Sequence, residues 1–107
     1  MGLMILKKQL IMNIGKTEND LIITETMVKN SLDSFVNKPI VQFANPLGNS
    51  KIIGYIQGNI CIESNDVYAD IFLIDSCKDE WKGKYDNWGI TLDDDKESFQ
   101  LDFIEVF

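Results

Sequence analysis

The sequence predicts an α+β domain, a mainly antiparallel twisted β-sheet carrying one helix at about residues 25–36. Three observations predict it. Apolar and polar residues alternate with strand period along much of the chain, as in Val67-Tyr68-Ala69-Asp70-Ile71. One segment alone switches to helical period, with Met27, Val28, Ser31, Leu32 and Phe35 on a single stripe. Turn-forming clusters then separate the apolar runs at hairpin spacing. At 107 residues and 45% apolar composition, all of this fits one domain, residues 1–107, with a core of ordinary size.

Residues 3–13 read as a strand, or as two short strands parted by Lys7, Lys8 and Gln9. A turn at residues 15–20 follows, then the short β-branched run Leu21-Ile22-Ile23. Thr24 offers a hydroxyl where the helix begins, because a threonine side chain at that position accepts from a backbone N–H of the first turn. Lys38-Pro39 ends the helix, since the residue before proline is pushed out of the α region. Ile40 to Phe43 forms a strand, and the Asn, Pro and Gly of residues 45–50 form a polar loop. Residues 51–63 give a long strand interrupted by Gly54 and Gly58, which mark a bulge or bend. Ser64-Asn65-Asp66 closes a hairpin onto residues 67–75, a strand apolar on both faces toward its end and therefore central. Residues 76–87 read as a loop or short helical turn. Residues 88–92 and 99–107 make a second hairpin around the acidic run 93–98.

Composition excludes several classes of function. The chain has no histidine and no arginine. No unperturbed side chain titrates near neutrality, no imidazole is available to ligate zinc, and no Ser-His or Cys-His pair can form. Without a guanidinium there is no bidentate fork for phosphate or guanine. Charge is also split. Residues 1–51 carry six lysines against four acids, whereas residues 52–107 carry four lysines against thirteen acids, for a net charge of -7. A direct nucleic-acid binder needs a basic stripe, so that role is not expected. The longest apolar runs, residues 3–6 and 71–74, fall far short of the ~20 residues of a membrane span. No signal-peptide or myristoylation pattern is present at the start, and the chain reads as cytoplasmic. Cys61 and Cys77 are two lone thiols rather than a disulfide framework. The glycines match no nucleotide-binding fingerprint, and Asp93, Asp94, Asp95 and Glu97 lack the spacing and turn glycine of a calcium loop. No cofactor or metal is expected.

A resemblance enters over roughly residues 24–75. The stretch from Ser31 through Lys38-Pro39-Ile40-Val41, then Ile53-Gly54-Tyr55-Ile56, then Val67-Tyr68-Ala69-Asp70-Ile71-Phe72-Leu73, resembles the early part of the phage prohead protease and prohead-core group. In that group a short helix leads to a Lys-Pro strand, an Ile-Gly strand and a return strand bearing Tyr-Ala. Such proteases carry a histidine in the loop after the Lys-Pro strand. Here Phe43-Ala44-Asn45 stands in that loop. The resemblance therefore implies a phage origin without the protease activity.

Two features suggest binding. Trp81, Tyr85 and Trp88 fall within eight mostly polar residues, and aromatics set among polar residues are common interface anchors. Packing at one end of the sheet is the competing reading, favoured for Trp88. The acids of the second half read individually as solvated surface, and collectively as a field that steers a basic partner by imitating a nucleic-acid backbone. Small acidic phage inhibitors, including anti-CRISPR proteins, share this profile. The expectation is a non-enzymatic protein that binds a basic surface, such as a host defence nuclease or CRISPR effector. On this reading Asp79, Glu80, Asp93, Asp94, Asp95 and Glu97 meet its cations, and Trp81 and Tyr85 act as anchors. The alternative is a phage head or prohead assembly protein that self-associates through strand edges and the segment from Ile104 to Phe107.

Overall fold

The computed structural model describes residues 2–16, 21–43, 50–95 and 97–107. Strands β1 (Leu3–Asn13), β2 (Gly15–Lys16) and β3 (Ile22–Ile23) precede the helix α1 (Glu25–Asn30), and β4 (Pro39–Phe43), β5 (Ser50–Glu63), β6 (Asp66–Ile74), β7 (Asn87–Leu92) and β8 (Phe99–Val106) follow it. Tight 3-10 turns occupy Leu32–Ser34 and Asp75–Glu80. Six strands form one sheet in the order β1-β6-β5-β4-β8-β7, and β2 pairs with β3 alone. The α+β class holds. The sheet is mixed, however, because β4 and β8 run parallel, with Ile40 opposite Ile104. Alternation within a strand fixes its faces but carries no information about the direction of its neighbour.

The sheet curls until its two edges touch. Leu10 of β1 bridges Lys84, and the Tyr85 N–H donates to the Leu10 carbonyl at 3.2 Å. Next along the chain, the Asp86 N–H donates to the Glu105 carbonyl at 2.9 Å, so the lead-in to β7 is held between β1 and β8. Inside the curl lie Val67, Ala69, Ile71 and Leu73 of β6, with Ile56, Ile40, Leu101 and Ile104 from the neighbouring strands, all essentially inaccessible. Alternate residues of the same strands face outward. β6 is an interior strand, as its apolar pattern requires.

Helix α1 begins as its sequence predicts, with the Met27 N–H donating to Thr24 Oγ1 at 3.1 Å. It ends at Asn30 rather than near residue 36. Ser31 and Ser34 explain the early end. Their hydroxyls accept from the Phe99 and Leu101 N–H groups of β8, at 2.8 and 3.0 Å. β8 joins β4 only from Ile104 onward, so these two N–H groups have no strand partner there. The chain tightens into a 3-10 turn that brings both serines to them, and Phe35 and Phe99 then pack with ring centroids 5.8 Å apart. β1 is one strand with an irregularity at Lys7 and Lys8 rather than two strands. Gly58 marks a bulge in β5 with φ of 148°, as its place in the strand predicts. Gly54 serves a different need, since a Cβ there would stand 2.1 Å from the Phe72 carbonyl oxygen. The loop expected at 45–50 and most of the turn at 15–20 lie outside the described residues. Among those residues no helix is long and apolar enough to cross a membrane.

Candidate protein-binding surface

The β7–β8 hairpin concentrates the acids. Leu92 pairs with Phe99 across its turn, and inside the turn the Asp93 N–H donates to the Ser98 carbonyl at 3.1 Å. Asp93 also accepts from the Ser98 hydroxyl at 2.6 Å, and Asp95 accepts from the Glu97 N–H at 2.9 Å. The Asn30 amide donates to the Glu97 carbonyl at 3.0 Å and ties the turn to the end of α1. Short polar side chains bonding their own backbone favour such turns, and these bonds hold Asp93, Asp95 and Glu97.

Along the strands the hairpin adds Asp86, Asp102 and Glu105. Asp102 accepts from Thr91 at 2.8 Å, Glu105 from Asn87 at 3.3 Å, and Asp86 from the Phe107 N–H at 2.9 Å. The described ion pairs are Lys7 with Asp70, Lys8 with Glu63, Lys29 with Glu25 and Lys51 with Glu80. Among the described residues, then, none of the seven hairpin carboxylates has a lysine partner. The bonds described for Asp86, Asp93, Asp95, Asp102 and Glu105 come from neutral donors, which do not offset the charge of the hairpin.

The structure divides the residues expected to act together. Glu80 sits in the Asp75–Glu80 turn, bonded to Gln42 at 2.6 Å and paired with Lys51 at 3.7 Å. Gln42 is level with Val106, at the end of β8 opposite the acidic tip. At about 3.3 Å per strand residue, Glu80 and its neighbour Asp79 lie roughly 20 Å from Asp93, Asp94, Asp95 and Glu97. Asp79 is exposed, whereas Glu80 is half-buried and its charge is already matched.

Trp81 is only 7% exposed, and its indole N–H donates to Gln9 Oε1 at 2.8 Å. This corrects the expectation that its ring is presented to a partner. The indole covers the apolar interior at the β1 side, and Gln9, on the inner face of β1, satisfies its one polar atom. Tyr85 is half-buried, with its hydroxyl donating to the Asn13 side chain. Burial pushes its phenol pKa up. It lines a shallow cavity of about 240 Å³ with Leu10, Asn13, Lys84 and Asp86, where the sheet edges meet. Trp88 packs half-buried against the core.

The described residues contain no group of three or more acids or cysteines placed to hold a metal ion. Cys61 and Cys77 are free thiols, both half-buried. Sequence reasoning missed Asp86, Asp102 and Glu105 as members of the acidic surface. The signal was available for Asp102, since Gln100 and Asp102 alternate with the buried Phe99 and Leu101. The register shift between Gly89 and Ile90 then resets the alternation, so that Ile104 is buried and Glu105 lies on the outer face, which the pattern of β8 alone does not foretell.

Fold and surface together define a small curled mixed-sheet domain with a one-sided acidic hairpin. No protein-family model, curated protein or solved structure matches the chain.

Proposed function

We propose that this chain is a non-enzymatic protein that docks, through the β7–β8 hairpin, onto a partner with a basic surface. The observation that carries the reading is the set of seven hairpin carboxylates without a lysine partner among the described residues. Carboxylates gathered on one hairpin repel nucleic acid and anionic lipid and attract lysine-rich and arginine-rich grooves. A nuclease, whose substrate channel is basic by necessity, is the partner class that fits. With the prohead-like stretches of residues 24–75, this favours a phage-type inhibitor of a host defence nuclease. Affinity capture from a bacterial lysate at low and high salt tests it. Recovery of a basic nuclease or nucleic-acid-binding complex that salt releases supports the reading, and recovery of the chain alone contradicts it.

One observation favours a second reading, self-association in a phage head or assembly role. β1 is a sheet edge that meets the β7 lead-in toward its end, at Leu10 and Asn13, and Leu3 and Ile5 at its start are 56% and 47% exposed. Such an edge is a template for another strand. A defined oligomer in light scattering would favour this role over the inhibitor.

A further inference from the structure

We infer that the anchor of the partner surface is the aromatic pair Phe43–Phe107 with its carboxylate rim, and that it receives an apolar side chain flanked by lysine or arginine on a protein partner. The inference rests on the protein-binding reading above and locates its contact. Phe43 and Phe107 meet edge to face, ring centroids 6.4 Å apart and planes at 82°, yet they remain 41% and 65% exposed. Phe43 lies two residues beyond Val41 on the same face of β4, and Phe107 two residues beyond Glu105. Val41 lies opposite Ile52 on one side and Glu105 on the other, and Asn87 lies opposite Glu105. Ile52 is itself 44% exposed.

The patch is tethered at Phe107. Asp86 accepts from the Phe107 N–H at 2.9 Å, which fixes the backbone carrying the ring, and the Phe43 ring fixes its orientation. An aromatic side chain already ordered loses little entropy on binding. Its border carries Asp86 and Glu105, and neither has a lysine partner among the described residues. Charge selects the occupant. A second copy related by a two-fold axis would bring two acidic borders together, and like charges opposed across an interface disfavour it. An apolar group between cations meets both the rings and the rim.

The test is a nuclear magnetic resonance titration of the isotope-labelled full chain with a lysine-arginine pentapeptide centred on leucine, beside the same peptide centred on serine. The leucine peptide is expected to shift the amides of Phe43, Ile52, Glu105 and Phe107. Leucine to serine, or Phe107→Ala in the protein, should weaken binding about tenfold, and high salt should weaken it further. Phe107 is mostly solvated, so its substitution leaves the fold intact and the spectrum verifies this. Shifts confined to residues 93–97 would overturn the inference while leaving the protein-binding reading standing. Absence of shifts anywhere would count against both. Shifts at the patch that change on dilution without peptide would assign it to a second copy and overturn the inference.

Discussion

Asp70 of β6 accepts a hydrogen bond at 2.9 Å from the backbone N–H of Lys8, sixty-two residues away, at the point where β1 departs from regular pairing. On the other side of β6, the same carboxylate accepts from the Asn59 amide at 2.7 Å, beside the bulge at Gly58. Lys8 and Asn59 both adopt positive φ, 51° and 52°. One nearly buried carboxylate therefore fixes the irregularities of both neighbouring strands. Through them it sets which residues of β1 and β5 face inward.

Asp70→Ala is expected to lower the melting temperature by several degrees at neutral pH, because the Lys8 N–H and the Asn59 amide lose their acceptor. The bonds from Asn59 and then Lys8 hold the Asp70 carboxyl below the usual carboxylate range. A folded-state pKa below the unfolded one gives stability that is complete above the ordinary range and lost as pH falls through the lowered value. The difference between wild type and variant should therefore shrink in strong acid. Thermal melts at neutral and strongly acid pH check both points.

Ser31→Ala and Ser34→Ala should each cost about 1–3 kcal/mol, since each leaves a buried N–H of β8 without an acceptor. Both hydroxyls also donate, Ser31 to the Met27 carbonyl at 2.6 Å and Ser34 to the Ser31 carbonyl at 2.7 Å. Urea titration with an unchanged slope is the expected signature. The pair shares one network, so the double variant should depart from additivity.

Trp81→Ala should destabilise the fold by about 3–5 kcal/mol, the range for truncating a buried aromatic. Chemical denaturation reads this directly. A Trp81 that served as an exposed anchor would give a stable variant instead.

Gly54→Ala should be far more damaging than Gly89→Ala. At Gly54 the new methyl group meets the Phe72 carbonyl oxygen at 2.1 Å, and backbone cannot step aside. At Gly89 it meets the Phe103 ring at 2.4 Å, and a side chain can rotate away, so the cost there falls in the roughly 1–3 kcal/mol range of overpacking. Comparison of the two melting curves checks the order.

Much of the fold was legible because it depends on local pattern. The Thr24 cap, the Gly58 bulge, the residue 64–66 hairpin and the interior place of β6 all follow from residues adjacent in sequence. What was not legible depends on partners distant in sequence. The helix stops at Asn30 because Ser31 and Ser34 serve β8, more than sixty residues later, and a helical stripe carries no trace of that demand. The parallel β4–β8 pairing is likewise a relation between strands. At the surface, the acidic tip of residues 93–97 was visible as a run, but Asp102 and Glu105 both join it only because the register shift in the β7–β8 pair resets the alternation between them, and Glu80 leaves it only through the register. Trp81 misled because its flanking residues are polar while the cover over it comes from β1.

The most direct test of docking through the β7–β8 hairpin is the salt dependence of the dissociation constant for the captured partner. It is measured with wild type and with Asp93→Asn/Asp94→Asn/Asp95→Asn/Asp102→Asn/Glu105→Gln, after both are shown to melt cooperatively. Weaker binding by the variant at low salt, by tenfold or more, together with a flattened dependence on salt, is the expected result. Equal affinity and an equal salt slope in the two proteins would contradict it.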